Sequence, residues 1–156
     1  MVQKYLIQQR KYNQMFREEF SYNIIKKRFI NIMMKGGKKS TAEQILNQTF
    51  THIQNQGLNP QEILLTALKK AGPLMTTQPR RRGRTVTHIP VPLMGKKRLG
   101  ITIKWIIQGA RSRNDSNMGV KIAHELISLS KGQGKAIKLQ MALHKNAYSN
   151  RMHLKI

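Results

Sequence analysis

The chain has 156 residues and no cysteine, and its 29 Lys and Arg against 6 Asp and Glu give a formal net charge of +23 at pH 7. This length predicts one domain with a core of its own. The lack of cysteine excludes disulfides, thiolate metal sites and cysteine nucleophiles. Self-repulsion at this charge opposes compaction, so we expect a partner that supplies negative charge, either a nucleic acid or an anionic membrane surface.

The charge is unevenly distributed along the chain. Residues 63–114 contain twelve basic and no acidic residues, and residues 126–156 again contain no acid. Residues 44–61, by contrast, contain no Asp, Glu, Lys or Arg. Such a distribution predicts a folded domain with one basic face and one neutral face.

The first part of the chain predicts an arm followed by three helices. Residues 1–20 have no clear period and are predicted to form an N-terminal basic arm. Apolar residues at helical spacing from Tyr22 predict a first helix that ends at Gly36. A Ser40–Glu43 capping box predicts the start of a second helix, which runs to about residue 54. Asn59 as N-cap, with proline after it, predicts a third helix that ends at residue 72.

A β-ribbon with a basic tip is predicted at residues 74–92. Two short stretches rich in Thr, Val and Ile flank Arg80-Arg81-Arg82-Gly83-Arg84, and Gly83 supplies the turn. Pro79, Pro90 and Pro92 cannot donate hydrogen bonds to a central strand ladder. A free-standing ribbon accommodates these prolines, because both of its strands are edges.

Three further helices are predicted after the ribbon. The fourth spans residues 99–113, the fifth is capped by Asp115 or Ser116, and the sixth begins at Lys135. The stripes expected to face the core are Ile103, Ile106, Ile107 and Ala110 on the fourth helix and Ile137, Met141 and Tyr148 on the sixth. Residues 149–156 are predicted to form a basic tail. The predicted fold is therefore mainly α, a single domain of about six helices over residues 21–148 with an inserted, protruding two-stranded β-ribbon.

No pattern of catalytic or metal-binding residues is present. The segment Gly36-Gly37-Lys38-Lys39-Ser40-Thr41 is similar to a phosphate-binding loop, but Lys39 stands where that motif needs Ser or Thr. The five histidines have no metal-ligand spacing, and the six acids form no pair suited to acid–base chemistry. We therefore expect no enzyme activity, no catalytic residue, no metal and no cofactor.

The basic residues favour a folded RNA as the partner. Further cations supplement the arginine tip of the ribbon, namely Lys96-Lys97-Arg98 and Arg113. One face of the fourth helix carries both Lys104 and Arg111. A nuclear localisation signal and a solvated charge run are the alternative interpretations. Trp105 could stack on a base, but a half-buried core position is favoured for it. Because no helix-turn-helix, zinc-finger or zipper pattern is present, recognition of RNA shape and phosphate is favoured over reading of DNA bases.

Several linked segments resemble the small-subunit ribosomal protein seven family. Residues 29–43, which read FINIMMKGGKKSTAE, resemble the signature segment of that family. The other similar segments are Arg80-Arg81 with Gly83, residues 89–91, residues 104–107 with Ala110-Arg111, residues 118–126 and residues 134–136. The resemblance extends over about residues 22–144.

The resemblance implies a helical domain that binds the 3′ major (head) domain of small-subunit ribosomal RNA and nucleates assembly of the head. It also implies that the ribbon lies near the exit-site tRNA and the mRNA, and that neighbouring small-subunit ribosomal proteins are further partners. From the resemblance and the charge pattern, the expected rRNA-binding residues are Lys35, Lys38, Lys39, Arg80, Arg81, Lys96, Lys97, Arg98, Lys104, Arg111 and Arg113. The ribbon residues expected near the exit-site tRNA and mRNA are Arg80, Arg81, Arg82, Gly83 and Arg84.

Two alternatives to a ribosomal protein remain open. A DNA-binding regulator would insert the ribbon into a groove, dimerise and prefer duplex DNA, whereas a ribosomal protein should form no homo-oligomer and should prefer one folded RNA. A membrane-surface role is disfavoured, because no helix combines an apolar face with a wholly basic one. Richness in Ile, Asn and Lys favours a member from a mitochondrial ribosome, and the bacterial cytoplasm is the alternative location.

Overall fold

The apolar periodicities of the sequence fold into helices around one shared core. The computed structural model describes residues 22–153, and the arm predicted at residues 1–20 lies outside them. The helices of this part of the chain are α1 (Tyr22–Met33), α2 (Lys39–Asn55), α3 (Pro60–Ala71), α4 (Gly95–Arg111), α5 (Met118–Ser130) and α6 (Lys135–Ser149), followed by a 3-10 turn at Arg151–His153. The strands β1 (Met75–Arg82) and β2 (Thr85–Pro92) lie between α3 and α4. The predicted mainly α domain with an inserted ribbon is confirmed.

The core lies between α5 and the helices that surround it. α5 packs against α2, α3 and α4, while α1 packs against α2 and α4. The fully buried large side chains include Ile25, Phe29, Leu46, Ile53, Leu64, Ile103, Ile106, Ile122, Leu126 and Leu129. Full burial of one such side chain contributes about 1.5–3 kcal/mol. The stripe predicted for the fourth helix is buried as expected.

The ribbon is an antiparallel hairpin that leaves the helical domain. Its register pairs Met75 with Pro92 at the base and Arg82 with Thr85 at the tip. Gly83 has a φ of 61°, whereas Arg84 does not have a positive φ. A positive φ at the first central position only is the pattern of a type II′ turn, in which glycine is favoured. β1 packs on α6 at the base of the ribbon, while residues 78–81 and 83–86 are exposed.

Two of the three predicted helix starts that rely on a side-chain cap are wrong. α2 begins at Lys39, so Ser40 is already inside the helix, and no side chain caps its N-terminus. α5 is capped by Asn117, whose side chain accepts a hydrogen bond from the backbone N–H of Gly119, rather than by Asp115 or Ser116. The cap at Asn59 is confirmed, because its side chain accepts from the backbone N–H of Gln61.

The extent of α4 and the packing of α6 also differ from expectation. α4 begins at Gly95, four residues earlier than predicted, because the basic run at residues 96–98 continues the helix. Lys and Arg are good helix formers, so this run supports rather than precedes the helix. On α6, Met141 is 64% exposed and Tyr148 is 68% exposed. The prediction that they face the core is wrong, because α6 packs through Ala136, Ile137 and Ala147 instead.

None of the helices in residues 22–153 is long and apolar enough to cross a membrane.

Candidate nucleic-acid interface

Helix α4 presents a line of positive charge on its outer face. Lys97, Lys104 and Arg111 are exposed and lie seven residues apart, which places them nearly in line along the helix. The 14 residue steps from Lys97 to Arg111 extend over about 21 Å at 1.5 Å per residue. The opposite face is buried in the core, with Leu99, Ile103 and Ile106 among its members. We call Lys97, Lys104 and Arg111 the α4 ridge.

The turn between α1 and α2 carries a second group of cations. Lys35, Lys38 and Lys39 are exposed, and we call them the turn lysines. Lys39 lies 3.9 Å from the carboxylate of Glu43, but both side chains are well exposed to solvent. Such an exposed pair contributes little to stability, so Lys39 stays accessible to a phosphate.

Arg28 connects these two groups. Its Nη2 atom on α1 donates a hydrogen bond of 3.0 Å to the backbone oxygen of Lys96 in the first turn of α4. α1 also packs against α2 and leads directly into the turn lysines. The packing of α1 therefore holds the turn lysines and the beginning of the α4 ridge in one rigid arrangement. No sequence pattern singles out Arg28, because its partner is a backbone atom 68 residues away.

The ribbon places its arginines away from the helical domain. Arg80, Arg81 and Arg84 are exposed. Arg80 pairs with Thr87 and Arg81 pairs with Val86, so consecutive arginines point to opposite faces of the ribbon. An extended two-faced cationic element of this kind can contact phosphates on both sides, unlike the one-sided α4 ridge.

Arg98 is not part of the exposed basic surface, although the sequence analysis included it among the rRNA-binding residues. Only 7% of Arg98 is exposed, and its Nη2 atom donates to the backbone oxygen of Gly72 at 3.0 Å. Gln140 donates to the same oxygen at 3.1 Å, so this contact joins the end of α3 to α4 and α6. Burial lowers the pKa of Arg98. Its position indicates a structural role in the packing of three helices.

Arg113 likewise has partners inside the protein. Its Nε atom donates to Oε2 of Glu125 at 2.8 Å, and its Nη2 atom donates to Oγ of Ser128 at 2.9 Å. Glu125 is 2% exposed, and its Oε1 atom accepts from the backbone N–H of Lys135 at the start of α6. The Arg113 side chain is 29% exposed, so only its edge can reach a ligand.

Two further features bear on the chemistry of the surface. Trp105 is half-buried against the core, as favoured from the sequence. Among residues 22–153, no group of three or more His, Cys, Asp or Glu side chains is arranged to hold a metal ion. His52 and His124, which are 72 residues apart in sequence, nevertheless lie side by side, and no local sequence pattern predicts this pair.

Comparison with known proteins decides which family this basic helical domain represents. The family model described as Ribosomal protein S7p/S5e matches residues 2–151. The chain belongs to the ribosomal protein S7p/S5e family. Its relatives include small ribosomal subunit protein uS7 of Methylobacterium radiotolerans, which is 35% identical over 130 residues and covers 83% of each chain. The corresponding proteins of Thiobacillus denitrificans and Xylella fastidiosa are 34% and 35% identical, with 80% of each chain covered.

Membership of the S7p/S5e family confirms two of the expectations drawn from the sequence. The protein has a structural role in the small ribosomal subunit, and so in translation, and it is not an enzyme. Its place of action is therefore a ribosome. The contacts of individual basic residues with RNA stay predictions.

Proposed function

We propose that this protein binds the 3′ major (head) domain of small-subunit ribosomal RNA and nucleates assembly of the head. Support comes from its membership of the S7p/S5e family together with the distribution of its exposed cations. The α4 ridge carries the proposal most directly, because four of the five exposed residues of α4 are basic: Lys96, Lys97, Lys104 and Arg111. A rigid row of cations suits the phosphates of a folded RNA, which is recognised by shape and backbone.

The rRNA contacts in this proposal come from three groups of residues. The α4 ridge with Lys96 and the turn lysines form the main surface, and Arg28 holds their two elements together. The third group is Arg80 and Arg81 on the ribbon. Arg98 and Arg113 act through the fold rather than through direct contact, because their guanidinium groups are bonded to other parts of the protein.

The ribbon has a separate role in this proposal. Residues 80–84 would lie near the exit-site tRNA and the mRNA path, where a two-faced cationic element could contact both RNAs. The exposure of Arg80, Arg81 and Arg84 and their distance along the ribbon from the helical domain support this role. Neighbouring small-subunit ribosomal proteins would cover other parts of the surface.

We also propose a mitochondrial ribosome as the place of action, on the basis of the richness in Ile, Asn and Lys. The relatives described above are bacterial proteins, so a bacterial cytoplasmic ribosome is the alternative. Sequencing of the DNA that flanks the gene distinguishes the two locations.

Competition binding across a salt series tests the RNA-binding proposal. The isolated head-domain rRNA should outcompete an unrelated folded RNA and a duplex DNA at high salt, because a shaped cationic surface gains contacts that a generic polyanion cannot match. Each phosphate neutralised should steepen the log–log dependence of affinity on salt by about 0.7–0.9. Equal competition by all three ligands would show that the protein binds polyanions non-specifically and would contradict the proposal.

A further inference from the structure

Two histidines meet where the uncharged stretch of α2 packs against α5. His52 on α2 and His124 on α5 have their Nε2 atoms 3.4 Å apart, and their rings meet edge to face at an interplanar angle of 74°. His52 also lines a groove of about 330 Å³ whose other lining residues are Asn47, Gln48, Thr51, Asn55 and Val120. No Lys or Arg lines this groove.

The hydrogen-bond partners of His124 fix its tautomer. Its Nδ1 atom lies 3.2 Å from Oδ2 of Asp115. An ionised carboxylate can only accept, so Nδ1 carries the proton and the Nε2 atom of neutral His124 presents a lone pair. A carboxylate on the far nitrogen of a histidine is the usual outer partner of a metal-ligating imidazole, because it orients the ring and raises its basicity.

His52 is arranged in a complementary way. The side-chain amide of Gln56 lies 3.2 Å from Nε2 of His52. With its NH₂ group toward the ring, Gln56 donates to Nε2 of His52, so neither Nε2 atom carries a proton and the two nitrogens lie 3.4 Å apart without a hydrogen bond between them. With its amide turned over, Gln56 instead presents a carbonyl oxygen to the same point, and the two orientations interchange without movement of the backbone.

We propose that His52 and His124 bind a divalent transition-metal ion, with Zn²⁺ as the best-suited ion. Zn–N bonds of about 2.0–2.1 Å at a tetrahedral centre separate two ligand nitrogens by about 3.3 Å, close to the separation found here. The Gln56 carbonyl would supply a third ligand, and water in the groove a fourth. Imidazole ligands suit Zn²⁺, Co²⁺ and Ni²⁺ rather than Mg²⁺ or Ca²⁺.

Titration of the untagged full chain with Zn²⁺ near pH 7.5 tests this site. Calorimetry should give one ion per chain, and Co²⁺ should develop the visible absorption of a tetrahedral site. His52→Gln and His124→Gln should each remove this ion, whereas His88→Gln on the ribbon removes one histidine and should leave binding unchanged. Asp115→Asn should weaken binding by about 10–100-fold, as is typical for the outer partner of a ligating histidine.

Thermal unfolding of each variant without metal shows whether it still folds. An increase in Tm on addition of Zn²⁺ in the unaltered chain and in His88→Gln, but not in His52→Gln, supports the site. If the unaltered chain binds no Zn²⁺, or if the two histidine variants bind as well as the control, the proposal is wrong. The two rings would then be joined by an ordinary hydrogen bond.

Discussion

Arg113 and Glu125 form an ion pair that ties the end of α4 to the start of α6. The guanidinium donates to Oε2 at 2.8 Å, while Oε1 of the same carboxylate accepts from the first backbone N–H of α6. Three consecutive helices therefore depend on one buried carboxylate, which is only 2% exposed. Arg113 compensates a charge that has no access to water, which explains why it serves the fold.

Replacement of Arg113 should destabilise the protein. Arg113→Gln leaves the Glu125 carboxylate buried without its cation, and we expect the free energy of unfolding to fall by about 3 kcal/mol, at the lower end of the range for a broken buried pair. Urea unfolding measures this change, with Lys104→Gln as the surface control, expected within about 0.5 kcal/mol of the unaltered chain. Equal stability of the two variants would show that the ion pair contributes nothing.

Two glycines of α4 should respond in opposite directions to alanine. A Cβ at Gly109 would lie 2.5 Å from Oε1 of Glu125, whereas a Cβ at Gly100 would meet only Arg28 Nη2 at 3.6 Å. Gly100→Ala should stabilise the protein by up to about 1 kcal/mol through helix propensity. Gly109→Ala should destabilise it by about 1–3 kcal/mol, because Glu125 is held on both oxygens and cannot move aside. Thermal unfolding of both variants tests this, and stabilisation by Gly109→Ala would contradict the tight packing around Glu125.

Arg98 should affect stability rather than RNA affinity. Arg98→Met keeps most of the buried volume but removes a donor to the Gly72 oxygen, so we expect a loss of about 1–3 kcal/mol of stability. The salt dependence of binding to head-domain rRNA should stay the same, because no phosphate contact is lost. A variant that keeps its stability but shows a shallower salt slope would identify Arg98 as a direct RNA contact.

His144 should make the base of the ribbon sensitive to acid. Its Nε2 atom accepts from the backbone N–H of Leu74 at 3.0 Å, which requires an unprotonated nitrogen. Burial, and then the charge of Arg98, lower the pKa of His144. In the unfolded chain the pKa of a histidine is about 6.5, so the unfolded chain binds this proton more readily than the folded protein does. The contribution of His144 to the free energy of unfolding is therefore fully present above that pH. It is lost as the pH falls toward the lower pKa of the folded state.

Denaturant unfolding between pH 7.5 and pH 5.5 measures this effect as the difference between the unaltered chain and His144→Gln. The glutamine oxygen can still accept from Leu74 but does not titrate, so the variant should lose less stability on acidification. Protection of the Leu74 amide against hydrogen exchange, measured relative to the intrinsic rate at each pH, should fall at low pH only in the unaltered chain. If the free energies of unfolding of the two chains depend on pH in the same way, His144 is not the source of the acid sensitivity.

The helices and the ribbon could be predicted because local sequence determines them. Apolar spacing located the six α-helices of residues 22–153, and Gly83 between two Thr-rich stretches located the turn. The helix start at Asp115 was wrong because Asn117, two residues later, is an equally suitable cap. The start at Ser40 was wrong because α2 begins at Lys39 without any side-chain cap. Met141 and Tyr148 were misplaced because α6 packs through Ala136, Ile137 and Ala147, which leaves these two side chains outside.

The basic surface was predictable only in part, because charge in the sequence does not distinguish an exposed cation from a buried one. Lys97 and Arg98 are neighbours, yet one lies on the α4 ridge and the other is buried beneath it. The partner of Arg113 is 12 residues away, and the partner of Arg28 is 68 residues away. Pairs of residues this far apart in sequence are brought together by the fold, and no local motif predicts them.

The most direct test of the α4 ridge as the RNA-binding surface compares two triple variants in their binding to head-domain rRNA across a salt series. One variant removes the α4 ridge (Lys97→Gln, Lys104→Gln, Arg111→Gln), and the other removes three exposed lysines elsewhere (Lys131→Gln, Lys138→Gln, Lys145→Gln). The net charge is the same in both. The ridge variant should bind more weakly, with a log–log salt slope shallower by about 2–3, while the control changes little. Equal losses in the two variants would contradict the ridge as the RNA-binding surface and leave only non-specific attraction.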